Sequence, residues 1–304
     1  MTAKKMAQGP RAYIPLTEDE RRERAEHSGG EPVFDFRSGA AGPDSTAYVD
    51  YHSVDALLSL QHPRTGEPAE LAFYTVGQVQ ELLFKLLFTE ANRVRDLLFD
   101  DRLDDALWCL RRMERTQRVL VASWEPVSTI TAAEFAAFRD QLGVASGIQS
   151  HMYRQLEFAL GNKSPRMAEA YEGISQLHKD VDAALRAPSM YDGALALLRR
   201  RGAPIPEDHV TRDFAQPYQP HPAVEEAWAG IYRDPAGQRD LYVFAEALSD
   251  VNHQYSLWRS AHLLTVERVL GSKPGSGGTA GVAWLRRVAE HRFFPELLSA
   301  RTAL

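Results

Sequence analysis

Apolar residues recur along this chain in steps of three and four, the period of amphipathic helices, and no stretch of useful length alternates as a strand does. The stretch YVDYHSVDALLSLQHP, from Tyr48, carries helical spacing and stops at His62-Pro63, where proline disfavours further helix. From Glu70 to about Leu98 runs a long series of helix formers. Phe73, Phe84, Leu87 and Ala91 share one face and Leu71, Leu82 and Leu86 another, so the pattern predicts a helix buried nearly all round. Residues 102–122 form an amphipathic segment, acidic early and basic late, as the helix dipole prefers. Thr131 with Glu134 is a capping-box signature for a helix running to about Leu142. A further helix is predicted from Ser146, with Gly161 as its stop. Two shorter helices follow over 167–200, then an irregular proline-rich stretch over 202–221. A last long helix covers about Gly237 to Leu270; after it come the glycine-dense loop GSKPGSGGTAG and a short helix from about Val282. The predicted fold class is all-α, without internal repeats.

Composition narrows the setting. Residues 1–44 are polar and rich in Gly, Arg and Glu, too poor in apolar area to offset their ordering entropy, and are read as a mobile arm ahead of one domain over 45–304. With 304 residues, 44% of them hydrophobic and 25% charged, the chain has the make-up of a soluble globular protein. At this length roughly 75% of the unfolded surface is buried on folding without metal or disulfide staples. A net charge of −6 with no concentrated basic patch excludes a nucleic-acid partner. No apolar run approaches the ~18 residues of a membrane span, and the N-terminus lacks the apolar core of a signal peptide. The single Cys109 excludes an internal disulfide and points to a reducing cytoplasm.

Four features carry candidate chemistry. His262 lies on the apolar stripe Leu241, Phe244, Leu248, Val251, Tyr255, Trp258, Val266 and Val269. It is either a hydrogen-bonded core histidine or a neutral imidazole aimed into an apolar cavity, as an axial heme ligand must be. The glycine loop fails the phosphate-loop spacing. Its backbone N–H groups, with the Ser276 hydroxyl, suit a small anion such as a carboxylate, unless it is simply a flexible turn. Arg139 follows the apolar face of Phe135 and Phe138, where its guanidinium would grip a carboxylate bidentately or form a surface ion pair. Gly77 interrupts a helix face between Phe73 and Phe84, marking either a very close helix contact or space for something bound.

Four separated blocks then carry a resemblance: YVDYHSVDALLSLQHP; ELAFYTVGQVQELLFKLLFTE; EFAAFRDQLGVASGIQSHMYRQLEFALGNK; and LWRSAHLLTVERVLGSKPGSGGTAGVAWL followed by FFPEL. With these blocks, in order over about residues 46–297, the chain resembles the tryptophan 2,3-dioxygenase family of heme enzymes. The resemblance implies an all-α fold, heme b, O2 and a tryptophan-type substrate, and a homotetramer built as a dimer of dimers. It implies His262 as the axial heme ligand, Arg139 and Ser276 as carboxylate holders, Phe73 and Phe135 as walls of the indole pocket and Ser146 as a serine beside the heme. Tyr48 and Tyr51 match tyrosines that reach into a neighbouring subunit's pocket. The sequence departs from the family where Val76-Gly77-Gln78 lacks the distal histidine, where Leu83 replaces a tryptophan and where Ser276 replaces threonine. The empty distal position leans toward one-atom oxygenation, giving a 2-oxindole from tryptophan or a β-methyl analogue. The alternatives are conventional ring cleavage to N-formylkynurenine and a heme sensor without turnover.

Overall fold

The structure, a computed structural model, describes residues 14–29, 39–271, 273 and 281–304, and no strand occurs among them. It divides into two compact units, Met1–Pro63 and Arg64–Leu304.

In the first unit, α1 (Glu18–Ser28) lies within the predicted arm. It opens on a Thr17–Glu20 capping box, ends at Gly29 with φ 57°, and buries no side chain. The helix predicted from Tyr48 is two short ones, α2 (Ala47–His52) and α3 (Val54–Leu58), parted by Ser53 at φ 50°. The buried Asp50 carboxylate accepts hydrogen bonds from Ala41 N and Ser45 Oγ, both at 2.6 Å, and so ties the preceding loop to α2.

The second unit is built on two 32-residue helices, α4 (Pro68–Phe99) and, later, the helix Arg239–Leu270. Each is about 48 Å long at 1.5 Å per residue. After α4 come α5 (Leu103–Ala122), α6 (Trp124–Ser128), α7 (Ala132–Arg139) and α8 (His151–Leu160). Next are α9 (Pro165–Glu169), α10 (Ser175–Arg186), α11 (Met190–Arg200) and α12 (Glu207–Val210). The chain closes with α13 (Pro222–Arg233), α14 (Arg239–Leu270), α15 (Val282–Ala289) and α16 (Pro295–Ser299). α4 packs against α5, α8 and α11, and α14 packs against α5, enclosing a core that includes the fully buried Trp228, Tyr191, Tyr255 and Phe244.

The expected caps are present: Thr131 and Glu134 form a reciprocal box at the start of α7, and Gly161 ends α8 at φ 113°. Three expectations are corrected. α4 is not buried all round, since Leu71, Leu82 and Leu86 are exposed. The helix from Thr131 ends at Arg139 and passes through a 3-10 turn, Asp140–Leu142, into Gly143 at φ 56°. From Ser146 the chain first makes a 3-10 turn, Gly147–Gln149, and α8 begins only at His151, capped by Ser150 Oγ on Tyr153 N at 3.0 Å.

Candidate active site

α4 and α14 flank a cavity of about 470 Å³, with α6, α7, α15 and the segment 142–150 completing its walls. α4 supplies the face Phe73, Gly77, Gln80 and Phe84, which its helical spacing aligns. From α7, Phe135 meets Phe73 edge-on with ring centroids 5.8 Å apart, and the fully buried Phe138 supports both rings at 5.5 and 5.0 Å. These rings join Val76, Val127, Ile130 and Val269 in a small apolar cluster beside the cavity. The polar groups at its walls include Glu81, Ser146, Gln149 and Thr265.

His262 enters this cavity from α14. Its ring lies against Trp124, with centroids 4.5 Å apart and planes 7° from parallel, while Trp258 sits tilted at 6.0 Å. Desolvation pushes its pKa down to about 4, so the imidazole is neutral near pH 7. Among the described residues its aromatic contacts are those two rings, and no hydrogen bond reaches either ring nitrogen. A neutral, unpaired imidazole in an apolar cavity is the donor that an axial site on heme iron requires, and the residues present therefore fit that group.

One turn before His262, Arg259 is fixed rather than free. Its Nη2 donates to Glu157 Oε1 at 2.7 Å and its Nη1 to His291 O at 3.2 Å, and Arg154 binds the other oxygen of Glu157. All three charged side chains are buried, so this tie locks α14 to α8 beneath the cavity.

Of the candidate site residues, Phe73, Gly77, Phe135, Ser146 and His262 all border the cavity. A Cβ built at Gly77 meets nothing within 4 Å, which overturns the close-helix alternative: the missing side chain leaves space. Arg139 ends α7 half-buried and is not among the bordering residues. Leu83 packs against the main core instead of the cavity, so its replacement of tryptophan does not reshape this wall. Tyr48 and Tyr51 belong to the first unit and are 67% and 66% exposed. Ser276 lies outside the described residues. Sequence reasoning missed Trp124, whose segment shows no helical stripe to point it inward, and Arg259, whose charge reads as surface until Glu157 is seen beside it.

The second unit is thus an all-α body in which a half-buried histidine faces an aromatic cavity, and no group of three metal-binding side chains occurs among the described residues. The sequence profile of the family described as tryptophan 2,3-dioxygenase matches residues 37–231 and 229–304. The chain is 42% identical over 258 residues to a tryptophan 2,3-dioxygenase of Exiguobacterium sibiricum, covering 85% of this chain and 92% of that one. It is 43% identical to one from Polaromonas sp., covering 85% and 88% of the two chains, and 41% identical to one from Bacillus cereus, covering 86% and 94%. The chain belongs to the tryptophan 2,3-dioxygenase family and is an enzyme of it.

Proposed function

We propose that this enzyme binds heme b through His262 and adds both atoms of O2 across the indole C2–C3 bond of L-tryptophan. That bond breaks, two carbonyl groups form and the product is N-formylkynurenine. The observation that carries the reading is the neutral, unpaired His262 imidazole in an aromatic cavity, in a chain about two-fifths identical to tryptophan 2,3-dioxygenases along most of its length.

Heme b, when bound, supplies the oxygen chemistry, and the protein supplies position. His262 presents its nitrogen lone pair without first losing a proton. Phe73 and Phe135 give the indole two apolar walls and exclude water from its faces. The family resemblance assigns the carboxylate to Arg139, which ends α7 next to the cavity-lining Phe135 and Leu142 segments without itself bordering the cavity, and to Ser276; held there, the reacting carbons would meet in an effectively intramolecular encounter. Ser146 offers a hydroxyl at the same cavity. Gly77 offers the indole N–H no side-chain acceptor, and none is obligatory, because attack by the electron-rich ring does not require loss of that proton. The names of the relatives support the two-atom outcome over the 2-oxindole toward which the empty distal position leans. The open wall at Gly77 is the one feature favouring a substituted tryptophan.

The test is product mass. Hemin-loaded, reduced protein given tryptophan and 18O2 is expected to yield a product holding two labelled oxygens. A single labelled oxygen would establish the oxindole reaction, and no oxygenated product from tryptophan or a β-methyl analogue would refute both. In parallel, His262→Ala should lose the Soret band, and unchanged heme absorption would refute the ligand assignment.

A further inference from the structure

An imidazole that ligates a metal is ordinarily held in rotation by a hydrogen bond from its second nitrogen to a carboxylate or carbonyl. No such bond reaches His262 among the described residues. Its plane is nevertheless defined, because the Trp124 indole lies flat against it at 4.5 Å and 7°. We propose that Trp124 is the positioning residue of the heme ligand: stacking on its indole face, in place of a hydrogen bond, sets the rotation of the His262 ring. The inference rests on the heme assignment of His262.

Trp124 is well placed for this. It is the first residue of α6, and the adjoining Ser123 is fixed from two sides: its Oγ accepts from Gln80 Nε2 at 3.0 Å and donates to Leu120 O at 2.7 Å. The start of α6, which carries the indole, is thereby tied to both α4 and α5. Trp258 lies tilted by 36° at 6.0 Å from the imidazole and 6.1 Å from Trp124, so the three rings form a triangle in which only Trp124 is parallel to His262. Stacked aromatic pairs contribute about 0.5–1.5 kcal/mol beyond buried area, enough to favour one ring orientation over others by several-fold. A stacked, otherwise unbonded imidazole also remains neutral, and so donates less charge to iron than one paired with a carboxylate.

Among the described residues Trp124 Nε1 has no hydrogen-bond partner, so phenylalanine can replace the ring without breaking one of the hydrogen bonds seen there. The experiment compares the hemin-loaded wild type with Trp124→Phe, Trp124→Leu and Trp124→Met. Each retains a large apolar side chain, and circular dichroism melts verify folding. Phe is expected to keep both hemin affinity and the iron–histidine Raman band of the ferrous protein. Leu and Met are expected to weaken hemin binding by about 10- to 100-fold, the range seen when an orienting neighbour of a metal ligand is removed, and to shift and broaden that band. Folded Leu or Met protein with wild-type affinity and an unchanged band overturns the proposal. Independently of any variant, ring protons of Trp124 and His262 should cross-relax in the diamagnetic ferrous carbonyl protein; absence of that contact also overturns it. Wild-type protein that takes up no hemin refutes the heme reading itself, a separate outcome.

Discussion

Gly77 and Gly193 both stand inside helices, where glycine costs about 0.8–1 kcal/mol relative to alanine. At Gly193, on α11, a Cβ would lie 3.1 Å from the Arg95 carbonyl oxygen and 3.3 Å from its Cα, so two helices meet there through backbone. At Gly77 a Cβ meets nothing. Alanine should therefore act in opposite directions: Gly77→Ala is expected to stabilise by about 0.4–1 kcal/mol, and Gly193→Ala to destabilise by about 1–3 kcal/mol through overpacking. Urea unfolding of the two variants checks this, and a shared sign would contradict the geometry. Sequence alone leaves both meanings of a helical glycine open, because the neighbour that decides between them is distant in the chain.

Among the elements, the link between α8 and α14 depends on one carboxylate serving two arginines. Glu157→Gln leaves Arg259 and Arg154 buried without a full counter-charge, and breaking a buried pair in this way costs about 3–5 kcal/mol. The denaturation midpoint should fall accordingly, and a change under 1 kcal/mol would show that the cluster is well hydrated. At the start of α4, Glu70 accepts hydrogen bonds from Arg64 N at 2.7 Å and from Thr65 N and Oγ1 at 2.7 and 2.5 Å. Burial raises its pKa, but these bonds and the Arg64 charge outweigh it and hold the carboxyl below the ordinary 4.5. Its contribution to stability is thus present above pH 4.5 and lost as pH falls through the lowered value. Wild type should melt higher than Glu70→Gln at pH 7, with the difference closing below pH 4.5; a constant difference would argue against this assignment. Helix starts and stops set by local chemistry, such as the Thr131–Glu134 box and Gly161, were legible in the sequence. The 167–200 stretch was not: α9 already starts at Pro165, and a turn ending at Gly173, φ 85°, separates it from α10, so three helices occupy the region instead of two.

For the whole molecule, the apolar stripe of α14 pointed to His262, and the quoted family blocks supplied the remaining site residues. Trp124 and the Arg259–Glu157 pair emerge only from tertiary packing. Leu82, Leu86, Leu264 and Trp108 are exposed apolar side chains, and the resemblance to the family implies a homotetramer in which such surface would be covered. Light scattering is expected to report four times the 34.1 kDa chain mass, and a monomer at micromolar concentration would exclude the tetramer. If Tyr48 completes a neighbour's pocket, Tyr48→Ala should raise KM for tryptophan while hemin affinity stays unchanged.

The vacancy at Gly77 has a practical side. The chain's one native thiol, Cys109, is buried, so a Gly77→Cys protein would carry a single accessible thiol, and that thiol would open onto the cavity. A small environment-sensitive dye attached there would act as an internal gauge, changing its emission as the chamber fills and empties.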